Sequence, residues 1–128
     1  MTSELTSLTW VVALNAIMWM PYIVNTIMVR GIMDAVGYPE EPKELSGWAT
    51  KMKAAHYNAV ENLVVFAALV LIANAAGVSN DVTVMAAKVY FWARVVHLIS
   101  YTMAIPWVRT LSFAVGWVCQ IAIILQLL

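Results

Sequence analysis

Apolar residues fall into four long blocks separated by short polar breaks. The first runs from about Leu5 to Val29 and closes at Arg30. The second, Trp48 to Ala76, opens on turns carrying Lys51, Lys53, His56, Asn58 and Glu61, then is almost wholly apolar from Asn62 to Ala73. A third, Val82 to Ala104, contains Lys88, Arg94 and His97, and Pro106 closes it. The fourth, Val108 to Leu128, holds Arg109 at its start and no charge thereafter. A membrane-spanning helix needs about 20 mostly apolar residues. The pattern therefore predicts an all-α membrane protein, a bundle of four transmembrane helices. A barrel is excluded, because its strands alternate apolar and polar residues in segments of about ten. Pro21 predicts a kink in the first helix.

The breaks read as turns and loops. DAVGYPEEPKELS, from Asp34 to Ser46, has two prolines, a glycine and five charges. Ser46 is placed to cap the second helix. GVSND, Gly77 to Asp81, is a short turn. No internal repeat or low-complexity stretch is present, and the whole chain, 1–128, reads as one domain.

Composition sharpens this picture. Of 128 residues 63% are hydrophobic and 11% charged, against about 25% charged in a soluble domain. Net charge is zero, and no basic patch suggests a nucleic acid. Cys119 is the sole cysteine, so neither an intrachain disulfide nor a Cys-based metal site is expected. Glu4 and the lack of Lys or Arg before Arg30 argue against a cleaved signal peptide. Arg30, Lys43, Lys51 and Lys53 flank the first connection, and Arg109 follows the third. The positive-inside rule then predicts a multi-pass protein of the inner or plasma membrane with both termini outside. Trp10, Trp48 and Trp107 stand near segment ends, as interfacial anchors do.

Charges inside a bilayer are costly and mark candidate sites. On the third helix, Tyr90, Arg94, His97 and Tyr101 fall within roughly 60° of arc at about 100° per residue. This stripe is either a hydrogen-bonded seam between helices or a binding face. Lys88 lies well away from it, near the helix start, and is expected to snorkel to the surface. On the second helix, Lys51, Asn58 and Glu61 share one side and His56 faces the other. Glu61 needs a cation or must be neutral, and Arg94 is the expected partner. It forms either an internal ion pair or part of a site for a charged ligand. Asn15, Tyr22 and Asn25 share a face of the first helix and read as contacts to neighbouring helices. The methionines and Cys119 read as apolar filling.

The stretches AAHYNAVENLVVF (Ala54–Phe66), FWARVVHLISY (Phe91–Tyr101) and IPWVRTLSFAVGW (Ile105–Trp117) together resemble the MAPEG family, the membrane-associated proteins of eicosanoid and glutathione metabolism. H-x-N-x-x-E followed by R-x-x-H-x-x-x-Y, in that order and at these separations, carries the likeness, which covers essentially the whole chain. His56 and His97 resemble the microsomal glutathione transferase side of the family, in a bacterial-type member. The resemblance implies a four-helix bundle in a homotrimer, with glutathione between subunits near the cytoplasmic side. It further implies a lipophilic second substrate arriving from the membrane lipid. Glutathione contacts would then fall to Arg30, Asn58, Glu61, Arg94 and Tyr101, with His97 beside them. Arg109 would activate the thiol, with Tyr101 assisting. Glutathione-using relatives usually carry an Arg where this chain has Ala54; Lys51 projects from the same face one turn earlier.

The implied chemistry agrees with the residues. Glutathione has two carboxylates and one ammonium, and this chain offers Arg30, Lys51, Arg94 and Arg109 beside Glu61. A free thiol has a pKa near 8.5, so an Arg at the sulfur would favour the nucleophilic thiolate. The expected function is a glutathione-dependent transferase or peroxidase. A non-catalytic relative binding another anion or a lipid is the alternative. A small multidrug transporter fits less well, because its essential acid lies within the first helix, where this chain has only Glu4 at the start.

Overall fold

The computed structural model describes all residues 1–128. Six helices follow in order: α1 (Ser3–Ile17), α2 (Trp19–Arg30), α3 (Ile32–Val36), α4 (Gly47–Ala75), α5 (Asp81–Thr102) and α6 (Pro106–Leu127). Four stretches are long and apolar enough to cross a membrane: Ser3–Arg30, Gly47–Ala75, Asp81–Thr102 and Pro106–Leu127. The first span is one helical stretch interrupted at Met18, where the backbone stays right-handed helical, as the kink expected from Pro21 requires. Pro21 has no N–H to offer the Ile17 carbonyl, and its ring crowds that turn. The rung from Pro21 to Ile17 is therefore missing, while the Met18 N–H still reaches the Leu14 carbonyl at 3.1 Å. α3 occupies the start of the stretch expected to be loop. Pro106 does not close the third span. That helix ends at Thr102, and Pro106 opens α6 at a position where a missing N–H costs nothing.

α5 and α6 form the most extensive helix pair, with α1 and α4 packed against α5. Small residues let these backbones approach, as membrane helices require. Ala86, Ala87 and Ala93 are buried on α5 and Gly116 on α6. A Cβ at Gly116 would meet the Tyr90 ring at 3.6 Å. Phe66 of α4 stacks on Tyr90, with centroids 3.9 Å apart and planes 11° from parallel. Leu8 and Val11 of α1, and Cys119 and Ile123 of α6, complete this core. Large apolar side chains remain on the outside, among them Trp92, Trp107 and Trp117, as suits a bundle facing hydrocarbon or neighbouring subunits.

Polar clasps hold the two ends. At one end Glu4, buried in the first turn of α1, accepts from Ser79 Oγ at 2.9 Å and Thr83 Oγ1 at 2.7 Å. Asn80 caps α5 through the N–H groups of Val82 and Thr83 and donates to Gln126 Oε1 of α6. At the other end the Tyr22 hydroxyl and His56 Nδ1 share a 2.6 Å hydrogen bond. Asn25 donates to Ser46 Oγ and accepts from the Ser46 N–H. The polar face of the first span thus does what its spacing suggested at Tyr22 and Asn25. Asn15 instead donates to the Val11 carbonyl on its own helix.

Two turns share one backbone device with different residues. After α4, the Val78 N–H reaches the Ala73 carbonyl at 2.9 Å and the Gly77 N–H reaches Asn74 at 3.2 Å. After α5, the Ile105 N–H reaches Ser100 at 2.8 Å and the Ala104 N–H reaches Tyr101 at 3.2 Å. Both are Schellman closures, whose pivot residue needs a left-handed backbone. Gly77 sits there at φ 70°, but the second pivot is Ala104 at φ 59°. The two are expected to respond oppositely to exchange. Gly77→Ala lowers stability by about 1 kcal/mol and Ala104→Gly raises it by a similar amount. Thermal unfolding of both variants in one detergent checks this; a shift of the same sign in both contradicts it.

Candidate functional site

Arg94 is the costliest residue in the bundle. It lies in the middle of α5, only 3% exposed, and it is always charged. Its Nη2 donates to Asn58 Oδ1 of α4 at 2.7 Å and to His97 Nδ1 at 3.3 Å. A guanidinium can only donate, so His97 accepts through Nδ1 and carries its ring proton on Nε2. Nε of Arg94 is buried with no partner. None of the groups bonded to it is a carboxylate.

This corrects the expected pairing of Arg94 with Glu61. Asn58 lies one turn nearer the start of α4 and meets Arg94 where the two helices cross. Glu61, about 60° further round the helix, is exposed on the bundle surface. It stands about 21 Å along α4 from Gly47, deep within a membrane-spanning segment.

Behind the Asn58–Arg94 contact runs a ladder that the sequence pattern did not reveal. Asn62 donates to the Asn58 carbonyl at 2.9 Å and to its Oδ1 at 3.3 Å. Gln120 of α6 donates to the Asn62 carbonyl at 3.3 Å. One signal was available: Gln120 is a buried amide in the charge-free stretch of α6 that follows Arg109.

In front of this contact opens a cleft. Asn58, His97, Tyr101, Arg109, Thr110 and Phe113 line a hollow of about 300 Å³. A second hollow of about 420 Å³ shares Tyr101 and Arg109 and adds Lys51, with the turn at Ala104–Pro106. The Arg109 guanidinium carbon stands 5.0 Å from the centre of the Tyr101 ring, within cation–π range. The Tyr101 ring also meets His97 edge-on, at 5.6 Å. The α5–α6 turn makes this possible, because it returns the chain at once and sets the first turn of α6 against the last of α5.

The structure therefore gathers Asn58, His97, Tyr101 and Arg109, with Arg94 directly behind and Lys51 at the rim. Two expected site residues stand outside this group. Glu61 lines neither hollow, and Arg30 donates through Nε to the Lys43 carbonyl at 2.8 Å in the first connection. Ala54 and Lys51 lie on the same stretch of α4, and Lys51 supplies the cation at the rim. Thr110 and Phe113 were not anticipated as lining residues; neither carries a charge to single it out. Chemically the cleft offers two exposed cations, a phenol, an imidazole and an amide, with the Arg94 guanidinium buried behind them. That set suits an anion with several hydrogen-bonding groups. No cluster of His, Cys, Asp or Glu suited to a metal ion is present.

The MAPEG family model matches residues 7–128 of the chain. No curated protein and no solved structure matches it.

The Arg94–Asn58 bond sets a measurable asymmetry. Asn58→Leu leaves a buried guanidinium with one long bond and is expected to cost about 1–3 kcal/mol. Asn62→Leu breaks only neutral amide contacts and is expected to cost about half as much. Unfolding of the two variants in detergent checks the order; equal costs would show that the charged bond carries no special weight.

Proposed function

The chain belongs to the MAPEG family, and on that premise we propose that this multi-pass membrane protein is a glutathione-dependent transferase or peroxidase acting on lipophilic electrophiles. The observation that carries the reading is the buried Arg94 guanidinium, bonded to an amide and an imidazole but to no carboxylate. A cation so placed is costly unless an anion completes it. A carboxylate of glutathione is such an anion. Lys51 and Arg109, which line the adjoining hollow, would then meet the other carboxylate and the thiol.

Arg109 then favours the thiolate. It stays protonated, so it stabilises S⁻ but serves poorly as a base. Each 1.4 kcal/mol of preference for the thiolate lowers the thiol pKa by about one unit. The Tyr101 hydroxyl, on the same cleft, adds a second donor. The step is attack by the thiolate sulfur on the electrophilic carbon, forming the C–S bond as the leaving group departs or the acceptor double bond takes up a proton. With a hydroperoxide, sulfur attacks the terminal oxygen and the alcohol leaves; a second glutathione reduces the sulfenic product and releases water. The electrophile enters from the bilayer, and the cleft faces the cytoplasm, where glutathione is dissolved.

Glu61 and Arg30 act across subunits in this reading. An exposed carboxylate in mid-span requires a cation from outside its own protomer, either a neighbour's side chain or the glutathione ammonium. The active unit is a homotrimer with its sites between subunits. A second reading rests on Ala54, where glutathione-using relatives usually place an Arg. Without that cation the same cleft would hold another anion or a lipid and perform no transfer.

Purified protein should bind glutathione saturably and behave as a trimer in mild detergent. Arg109→Ala is expected to raise the pH at which conjugation reaches half its maximum by about one unit, far more than it weakens binding. Tyr101→Phe shows a smaller shift of the same kind. Turnover across pH, measured beside binding at fixed pH, separates the readings. Loss of binding with an unchanged pH profile makes Arg109 a carboxylate clamp. Absence of glutathione binding by the wild type overturns the transferase reading.

A further inference from the structure

A further cavity lies at the opposite end of the bundle, away from the Arg94 cleft. It is a groove of about 550 Å³ between the start of α1 and the first half of α5, lined by Ser3, Ser7 and Trp10 on one side and Lys88, Phe91 and Trp92 on the other. Both walls run in the same order. On α1 the hydroxyls precede Trp10; on α5 Lys88 precedes Phe91 and Trp92. α1 and α5 start at the same end of the bundle, joined through Glu4, Ser79 and Thr83. The groove is therefore polar toward the membrane boundary and aromatic toward the bilayer interior.

Two of its groups lack partners within the chain. Lys88 is exposed about 10 Å along α5 from Asp81, inside a membrane-spanning segment, and no carboxylate pairs with it. Ser7 is only 6% exposed, and its hydroxyl lines the groove without a hydrogen bond to any other residue. Glu4, the one acid on this turn of α1, is turned toward Ser79 and Thr83 and is not among the lining residues. The charge presented to a guest is thus positive only. Trp10 and Phe91 form a continuous aromatic wall, with centroids 6.4 Å apart.

We propose that this groove is a binding site for an anionic phospholipid. Its phosphate sits on Lys88 Nζ and the Ser7 hydroxyl, and an acyl chain lies along Trp10 and Phe91. A zwitterionic lipid fits less well, because its ammonium finds no free carboxylate here. The guest bridges α1 and α5 at the end remote from the glutathione cleft, so the site is independent of the function proposed above.

Native mass spectrometry of the purified protein with phosphatidylglycerol or phosphatidylcholine tests this. The wild type is expected to retain phosphatidylglycerol preferentially. Lys88→Gln is expected to reduce that preference about fivefold, and Lys88→Arg to restore it. Glycerol phosphate, which has the anion without the chains, should not displace the lipid. Phosphatidylglycerol with brominated acyl chains should quench a part of the tryptophan fluorescence that Trp10→Phe removes. Equal retention of both lipids, an unchanged preference in Lys88→Gln, or quenching undiminished by Trp10→Phe would overturn the proposal. Displacement by glycerol phosphate would make the site one for soluble phosphates instead.

Discussion

A guanidinium inside a membrane-spanning bundle has few ways to be tolerated, and Arg94 dictates much of what surrounds it. Water is scarce at that depth, so protein groups must take its hydrogen bonds. Asn58 supplies one acceptor from α4 and His97 another from the next turn of α5. Asn62 and Gln120 extend the polar contacts to α6. Three helices are therefore registered about a single charge. One turn back on the same side of α5, Tyr90 stacks on Phe66 and continues this face into the apolar core.

That register is also what builds the cleft. Tyr101 lies two turns from Arg94 on the same side of α5, and the short turn at Ala104 brings Arg109 back over its ring. Chemistry and fold are thus joined through one helix face. The left-handed Ala104, a backbone that a residue with a side chain rarely adopts, falls in the wall between Tyr101 and Arg109. Strain of this kind persists only where neighbouring structure enforces it.

The four spans were legible in the sequence because bilayer thickness imposes a minimum length that apolar runs display openly. The stripe Tyr90–Arg94–His97–Tyr101 was legible too, since helical periodicity fixes which residues share a side. Partners were not. Periodicity places Glu61 and Asn58 one turn apart on α4 but does not say which of them α5 will cross. The crossing chose Asn58, and charge matching alone pointed to Glu61. Likewise Pro21 announced a disturbance in the first helix, yet the break lies at Met18, because a proline acts on the turn before it. Gln120 carried a signal, an amide in the charge-free part of the last span, but only the packed structure gives it a partner. The family-level reading came from motif order, Asn58 and Glu61 followed by Arg94, His97 and Tyr101, and not from any single residue.

The break at Met18 has a mechanical consequence. An unbroken helix transmits bending from one end to the other; a rod missing one rung of its ladder concentrates it at that point. α1 is fastened to α5 through Glu4, whereas α2 is fastened to α4 through Tyr22 and Asn25. The polar fastenings of the first span thus fall on either side of the rung that Pro21 removes. Bending of the span is therefore easiest around Ile17–Trp19, between the Glu4 clasp and the Tyr22 and Asn25 contacts.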